Sequence, residues 1–175
     1  RLVASPAGSQ WRVDRKEGRK EGQEGDMELQ KRSARREKDS EGASHRVLEG
    51  HDGPVYSALL WSSINYGNIL VTGSHDTAVR LWNIDNSVCI NTLRGHSDGV
   101  VCVAASPNNS LDPLVASGST DKTIILWALL SGKKVRVLEG HRSVVTDVSI
   151  VLDPKPVLVS SSSDSDIICW NLMNG

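Results

Sequence analysis

A short pattern that occurs three times constrains the fold of this chain more than any other sequence feature. Each copy begins with Gly-His and continues to an Asp, which is followed six residues later by a Trp. The copies start at Gly50, Gly95 and Gly140, and the His-to-Asp separations are 25, 25 and 23 residues. Such regular spacing indicates one structural unit that is used three times.

Short apolar, β-branched runs predict four strands in each of the first two copies and three in the last. A period of 43 to 45 residues with four strands predicts one β-propeller blade per copy. The expected fold class is therefore all-β, a partial propeller of three blades at about 50–93, 95–138 and 140–175, the last of them incomplete. Strands are predicted at 55–60, 69–72 and 88–93 in the first copy, at 100–105, 114–117 and 134–138 in the second, and at 145–150 and 157–160 in the third, with a further strand ending at each Trp.

The chain divides by composition into a charged segment, 1–44, and the repeat region, 45–175. Val13 is the only large aliphatic residue between Trp11 and Met27, so the first segment cannot bury enough apolar surface to offset the entropy of ordering, and we expect disorder there. A short helix over 26–38 is an alternative. The basic run 31–36 is interpreted as solvated charge, with a nuclear-import or acidic-partner patch as the alternative.

The copies resemble WD repeats over about 46–171, with Gly-His at the start, an Asp in a hairpin rich in Gly, Ser and Thr, and a Trp closing the third strand. The chain departs from the usual Asp after the Trp, where it has Asn83, Ala128 and Asn171. Residues 46–48 resemble the fourth strand of a blade that is not otherwise present. Propellers close with about four to eight blades, so we expect the chain to be a fragment of a larger propeller.

The resemblance implies one hydrogen-bonded set inside each blade. An indole N–H and an imidazole that are buried between strands must find partners, and a hydroxyl and a carboxylate supply them. The expected sets are His51, Thr72, Asp76 and Trp82, then His96, Ser117, Asp121 and Trp127, then His141, Ser160, Asp164 and Trp170.

Ser, His and Asp are also the parts of a nucleophilic triad, so a hydrolase is the remote alternative. A triad occurs once, at a cleft with an exposed hydroxyl, whereas these residues recur at blade spacing and always with a Trp. The Gly-x-Ser-x-Gly spacing occurs once, at 95–99, but its Ser97 is not a member of any of the three sets, and the sequence has no phosphate-binding Gly loop or His-Glu-x-x-His motif. We therefore expect no catalysis, no catalytic residue, no cofactor and no metal site.

The three cysteines, Cys89, Cys102 and Cys169, have neither metal-ligand spacing nor a disulfide framework. We interpret them as small buried hydrophobic residues of a protein in a reducing compartment, cytoplasmic or nuclear. No apolar run approaches the roughly 20 residues that cross a bilayer. Acidic residues outnumber basic ones by 12 to 9 over 45–175, which disfavours nucleic acid as a partner.

The resemblance implies a rigid, non-catalytic platform that binds partner proteins or peptides on its top face. Alternatively, this is a substrate-receptor or regulatory domain of a larger protein, such as a ubiquitin ligase, a nucleotide-binding signalling protein or a kinase-linked assembly. Tyr56 is the leading contact candidate, because a rigid aromatic with a polar tip is typical of interface hot spots; His75 is a candidate for a pH-sensitive contact. The implied top-face positions are Pro54, Tyr56, His75, Gly99, Val101, Thr120, Val144, Thr146 and Ser163.

Overall fold

The computed structural model describes residues 3–4, 11–12, 35–38, 44–63, 66–107, 113–151 and 155–173, with side chains from residue 45 onward. All regular structure in these ranges is β-strand. The chain separates into two units, Arg1–Lys31 and Arg32–Gly175. Within the first unit, β1 (Val3–Ala4) pairs antiparallel with β2 (Trp11–Arg12).

The second unit contains one strand pair and three larger antiparallel sheets, which we call blades 1, 2 and 3. Successive strands are neighbours in every sheet, as hairpin-linked blades require. The predicted all-β propeller architecture is confirmed, including the incomplete third blade. The pair is β3 (Arg35–Lys38) and β4 (Ser44–Val47); blade 1 is β5 (Val55–Ser63), β6 (Gly67–Ser74), β7 (Ala78–Asn83) and β8 (Val88–Arg94); blade 2 is β9 (Val100–Ala105), β10 (Leu114–Ser119), β11 (Ile124–Ala128) and β12 (Lys134–Leu138); blade 3 is β13 (Val145–Val151), β14 (Val157–Ser162) and β15 (Ile167–Asn171).

The strand pair before blade 1 departs from the sequence prediction. The alternative of a helix over 26–38 is wrong at Arg35–Lys38, where the backbone is extended and pairs with β4. The register matches that of the third and fourth strands of blade 1, since Arg36 pairs with Arg46 as Leu81 pairs with Asn91 one repeat later. The expected fourth strand of a preceding blade therefore has a third strand beside it. Of the segment predicted to be disordered, β1, β2, β3 and the first residue of β4 are described, and the rest lies outside the described residues.

Two apolar layers hold the blades together, because alternate residues of each strand point to opposite faces of a sheet. We call the face that a blade turns toward the following blade its trailing face, and the opposite one its leading face. The layer between blades 1 and 2 includes Val71, Leu81, Val100, Val115 and Trp127. The layer between blades 2 and 3 includes Cys102, Ala116, Ile124, Leu126, Val145, Val148 and Leu158.

Close approach of the blades requires glycine at one position of the second strand. A Cβ added to Gly73 would lie 2.7 Å from Val100 Cγ1 of blade 2. A Cβ added to Gly118 would lie 2.6 Å from Val145 Cγ1 of blade 3. Any larger side chain at these positions would push the two blades apart, so glycine here sets the distance between them.

Candidate functional site

The four residues of the expected set in blade 2 are joined in one chain of hydrogen bonds. Trp127 Nε1 donates to Ser117 Oγ over 2.9 Å, and that Oγ lies 2.9 Å from His96 Nε2. His96 Nδ1 lies 2.8 Å from Asp121 Oδ2. A carboxylate can only accept, so Nδ1 donates, and Nε2 of the neutral ring accepts from the hydroxyl.

Blades 1 and 3 repeat the same chain of hydrogen bonds. In blade 1, Trp82 Nε1 donates to Thr72 Oγ1 over 2.9 Å, which lies 2.7 Å from His51 Nε2. His51 Nδ1 then reaches Asp76 Oδ2 at 2.8 Å. The blade 3 distances are 2.8 Å from Trp170 to Ser160, 2.7 Å from Ser160 to His141 and 3.0 Å from His141 to Asp164.

Each aspartate also binds the backbone of the two turns that flank it. Asp121 Oδ2 accepts the N–H of Ser97, and its Oδ1 accepts the N–H of Thr123. Burial raises the pKa of Asp121, but these hydrogen bonds, with one from the Thr123 hydroxyl, outweigh burial and lower the pKa to about 2. The same balance lowers the pKa of Asp76 and of Asp164. The carboxylates are therefore ionised and connect the two turns through hydrogen bonds, rather than acting as proton donors.

The histidine of blade 2 is held in its neutral form. Burial lowers the pKa of His96, and the neighbouring Asp121 carboxylate opposes that shift only in part. The ring is thus an uncharged link between the hydroxyl and the carboxylate.

The distances would suit a nucleophilic triad, but the surroundings would not. Thr72 is 5 % exposed, Ser117 is 0 % exposed and Ser160 is 1 % exposed, so a substrate has no path to any of the three hydroxyls. Each hydroxyl also accepts the indole N–H of a Trp. Each set therefore gives its buried polar groups hydrogen-bond partners, and the same bonds leave the hydroxyl unreactive.

One equivalent backbone hydrogen bond in each blade brings the expected top-face positions together. His75 N–H donates to Pro54 C=O, Thr120 N–H to Gly99 C=O and Ser163 N–H to Val144 C=O, each over 2.9 Å. Each bond joins the hairpin between the second and third strands to the start of the first strand. These residues consequently form one edge of the three blades, and we call this edge the top edge.

Exposure differs between the residues of the top edge. Pro54, Tyr56, His75, Thr146 and Ser163 are exposed. Gly99 is buried, and the remaining members of the edge are half-buried, namely Val101, Thr120 and Val144.

An aromatic cluster lies on the top edge where blade 1 meets blade 2. The rings of Tyr56 and His75 meet edge to face, with centroids 6.1 Å apart. A Cβ added to Gly99 would lie 3.4 Å from His75 Cα and 3.7 Å from Tyr56 Cε2. Tyr56 remains 52 % exposed, so its ring is open to a partner.

Sequence reasoning missed a serine that recurs two residues before each aspartate. Ser74 Oγ donates to Gly53 C=O and accepts the N–H of Asp76, and Ser119 does the same with Asp98 and Asp121. Its repetition at 74, 119 and 162 was the available signal.

Arg80 was also missed. It is 7 % exposed on the leading face of blade 1, with its guanidinium carbon 5.9 Å from the Trp82 ring centroid. Blades 2 and 3 have Ile125 and Ile168 at this position, so comparison of the copies would have singled it out.

The cysteines differ in burial. Cys102 is buried, and burial raises the pKa of its thiol to about 12. Cys89 is half-buried and Cys169 is exposed, so the expectation of three buried cysteines is wrong for Cys169, whose side chain lies on the trailing face of blade 3, where the described residues include no further blade. In the described residues, no group of three or more His, Cys, Asp or Glu is placed to hold a metal ion, and no helix has the length and apolarity to span a membrane.

Comparison with known proteins identifies the class. The family model described as WD domain, G-beta repeat matches residues 42–83, 87–128 and 132–171, which is more than half of the chain. The chain therefore belongs to the WD-repeat family. Domains of this family generally serve as scaffolds that bind other proteins in complexes, and the fold is typically non-catalytic.

Two curated relatives resemble part of the repeat region. F-box/WD repeat-containing protein 7 of Drosophila melanogaster is 42 % identical over 55 residues, which cover 31 % of this chain and 4 % of the relative. Cell division control protein 4 of Saccharomyces cerevisiae is 43 % identical over 56 residues, which cover 32 % of this chain and 7 % of the relative. The chain thus spans a small part of these relatives.

Two solved structures show the same fold. "Structure of U3-55K" superimposes with a TM-score of 0.63 at 23 % identity, covering 73 % of this chain and 38 % of that one. "Crystal structure of RRP9 WD40 repeats" superimposes with a TM-score of 0.62 at 24 % identity, with the same coverage.

Proposed function

We propose that the chain is a non-catalytic scaffold that binds partner proteins or peptides on its top edge, inside the cell. The observation that carries this proposal is the exposed Tyr56 ring, which meets His75 edge to face beside Gly99 at the junction of two blades. A rigid aromatic side chain contributes contact area at low entropic cost, which favours it as an anchor.

The chain supplies a matched control for this proposal. Tyr66 is 49 % exposed and lies in the turn between β5 and β6, at the opposite edge of blade 1. Tyr56→Ala with His75→Ala should weaken each captured partner at least about tenfold, as loss of a hot spot does. Tyr66→Ala should leave binding unchanged. Quantitative co-purification tests this, and the top-edge assignment fails if the double variant retains every partner at wild-type affinity.

A WD domain within a larger protein is the second candidate. It is favoured by the small share of the relatives that the chain covers and by the name of one relative, which joins an F-box to WD repeats. Sequencing the transcript on both sides of the segment tests it, since an appended domain would identify the assembly. A transcript that encodes only this segment would exclude this candidate.

The hydrolase alternative makes a separate prediction. A catalytic hydroxyl at Thr72, Ser117 or Ser160 would react with a fluorophosphonate probe. We expect no labelling of the folded chain, because all three hydroxyls are buried and accept a Trp N–H. Labelling at one of them that Ser→Ala or Thr→Val abolishes would overturn the non-catalytic proposal.

A further inference from the structure

A carboxylate lies beside the aromatic cluster of the top edge. Asp98 directly precedes Gly99 and is exposed, and its Oδ1 accepts the Gly99 N–H over 2.7 Å. The Asp98 carbonyl accepts the Ser119 hydroxyl over 3.0 Å, which ties this turn to the next hairpin. Gly99 in turn faces the Tyr56 ring. The Asp98 carboxylate and the exposed Tyr56 ring therefore both flank Gly99.

We propose that Tyr56 and Asp98 together bind an arginine side chain of the partner; this inference rests on the proposed function. A planar guanidinium can stack on the ring while two of its N–H groups bond to the carboxylate. Because Tyr56 and Asp98 flank the same residue, Gly99, one side chain of the partner can reach both.

The corresponding regions of blades 2 and 3 lack the exposed aromatic ring. Val101 and Thr146 occupy the positions that correspond to Tyr56, so neither offers an aromatic ring. The positive charge of Arg142 is already matched within the chain, because its Nη2 lies 2.9 Å from Asp166 Oδ2. Among the top-edge positions of the three blades, the exposed aromatic ring thus belongs to the junction of blades 1 and 2.

One cation of the chain itself lies in the neighbouring hairpin. Lys122 is exposed in the turn that Thr120 ties to Gly99. Its positive charge should oppose the binding of a partner arginine, an effect that added salt should screen. Lys122→Ala is therefore expected to tighten binding, by about twofold.

The test uses the full chain, the peptide acetyl-Gly-Arg-Gly-amide, and amide chemical shifts in a titration. Replacing the arginine of this peptide with citrulline keeps the shape and removes the charge. Replacing it with lysine keeps the charge and removes the planar group with its paired N–H donors. We expect the amide shifts of Tyr56, Asp98 and Gly99 to change on titration. The affinity should decrease from the arginine peptide to the lysine peptide to the citrulline peptide. Asp98→Asn and Tyr56→Leu should each weaken arginine binding at least about threefold. Asp85→Asn and Tyr66→Leu, at the opposite edge, should not.

Three results would overturn the inference: equal binding of the arginine and citrulline peptides, shifts confined to other residues, or wild-type affinity in either top-edge variant. Unchanged amide shifts away from the substitution show that a variant is folded. The two proposals also fail separately. A partner that is lost with Tyr56→Ala and His75→Ala but retained by Asp98→Asn would support the top-edge scaffold and overturn the arginine site.

Discussion

Blades 2 and 3 contain the same four-residue set, yet only one of their trailing faces is covered. Blade 3 covers the trailing face of blade 2, whereas the described residues include no blade that covers the trailing face of blade 3. Ile124 of blade 2 is 0 % exposed, whereas Ile167, at the same position of blade 3, is 73 % exposed. On the leading faces, Trp127 is 2 % exposed, whereas Trp170, whose sheet has three strands rather than four, is half-buried. Burial in a repeat fold therefore depends on the neighbouring repeat as much as on the residue itself.

The two trailing faces also differ in chemistry. Cys102 and Gly118 are paired across the first two strands of blade 2, and the equivalent pair in blade 3 is Asp147 and Ser161. The hydroxyl of Ser161 lies 2.9 Å from that of Thr146. This face of blade 3 is thus more polar and lacks the glycine that lets blade 3 approach blade 2.

The largest predicted difference between the blades concerns their tryptophans. Trp127→Ala should lower the free energy of unfolding by about 3–5 kcal/mol, because it removes a buried ring and leaves the Ser117 hydroxyl without a donor. Trp170→Ala should cost about half as much, since its ring is only half-buried. Urea denaturation followed by circular dichroism measures both, and equal losses would contradict the comparison.

Ile124 and Ile167 are the same residue at the same position of two blades, so they compare a covered and an uncovered trailing face directly. Ile124→Ala is expected to cost about 2–5 kcal/mol through the cavity it leaves. Ile167→Ala should change stability by less than about 0.5 kcal/mol, as exposed substitutions do. The same denaturation series checks this, and a loss at Ile167 as large as that at Ile124 would mean that the trailing face of blade 3 is covered in solution.

Two reciprocal substitutions, Gly118→Ser and Ser161→Gly, test what sets the spacing between blades. Gly118→Ser should destabilise the chain by about 1–3 kcal/mol, because the new side chain would meet Val145 and Cys102. Ser161→Gly should cost less, about 0.5–1 kcal/mol, from the strand entropy of glycine and the loss of the exposed hydrogen bond to Thr146. Thermal unfolding can rank the two variants, and the reverse order would show that Gly118 does not set the approach.

A pH profile should show the smallest effect. The folded pKa of His96 lies below its unfolded value of 6.5, so its stabilising contribution is present above pH 6.5 and declines as pH falls below that value. The folded pKa of Asp121 is about 2, against 3.8 when unfolded, so its contribution is lost as pH falls from about 4 to 2. Asp121→Asn should reduce the slope of stability against pH in the lower window, where Asp76 and Asp164 still contribute. It should also extend the decline below pH 6.5 to lower pH, because the carboxylate no longer opposes the lowered pKa of His96. A slope in the lower window that matches wild type would contradict the assignment.

The repeat pattern predicted the blades because Gly-His, Asp and Trp mark fixed points of each sheet. It could not predict that Cys169 is exposed, since an alternating strand gives the same pattern whether or not a blade covers it. The pairing of β3 was also invisible, because Arg35–Lys38 carries no apolar alternation and its strand is defined by backbone bonds to β4. Tyr56 could be placed on the top edge, but the role of Asp98 depends on the turn that brings it beside Gly99.

Photo-crosslinking tests the central claim, that the top edge is the binding surface, most directly. Benzoylphenylalanine would replace Tyr56 in one variant and Tyr66 in another, which gives equally exposed probes at opposite edges of one blade. The proposal predicts that a bound partner is crosslinked from position 56 and not from position 66. Crosslinking of the same partner from position 66 alone would contradict it.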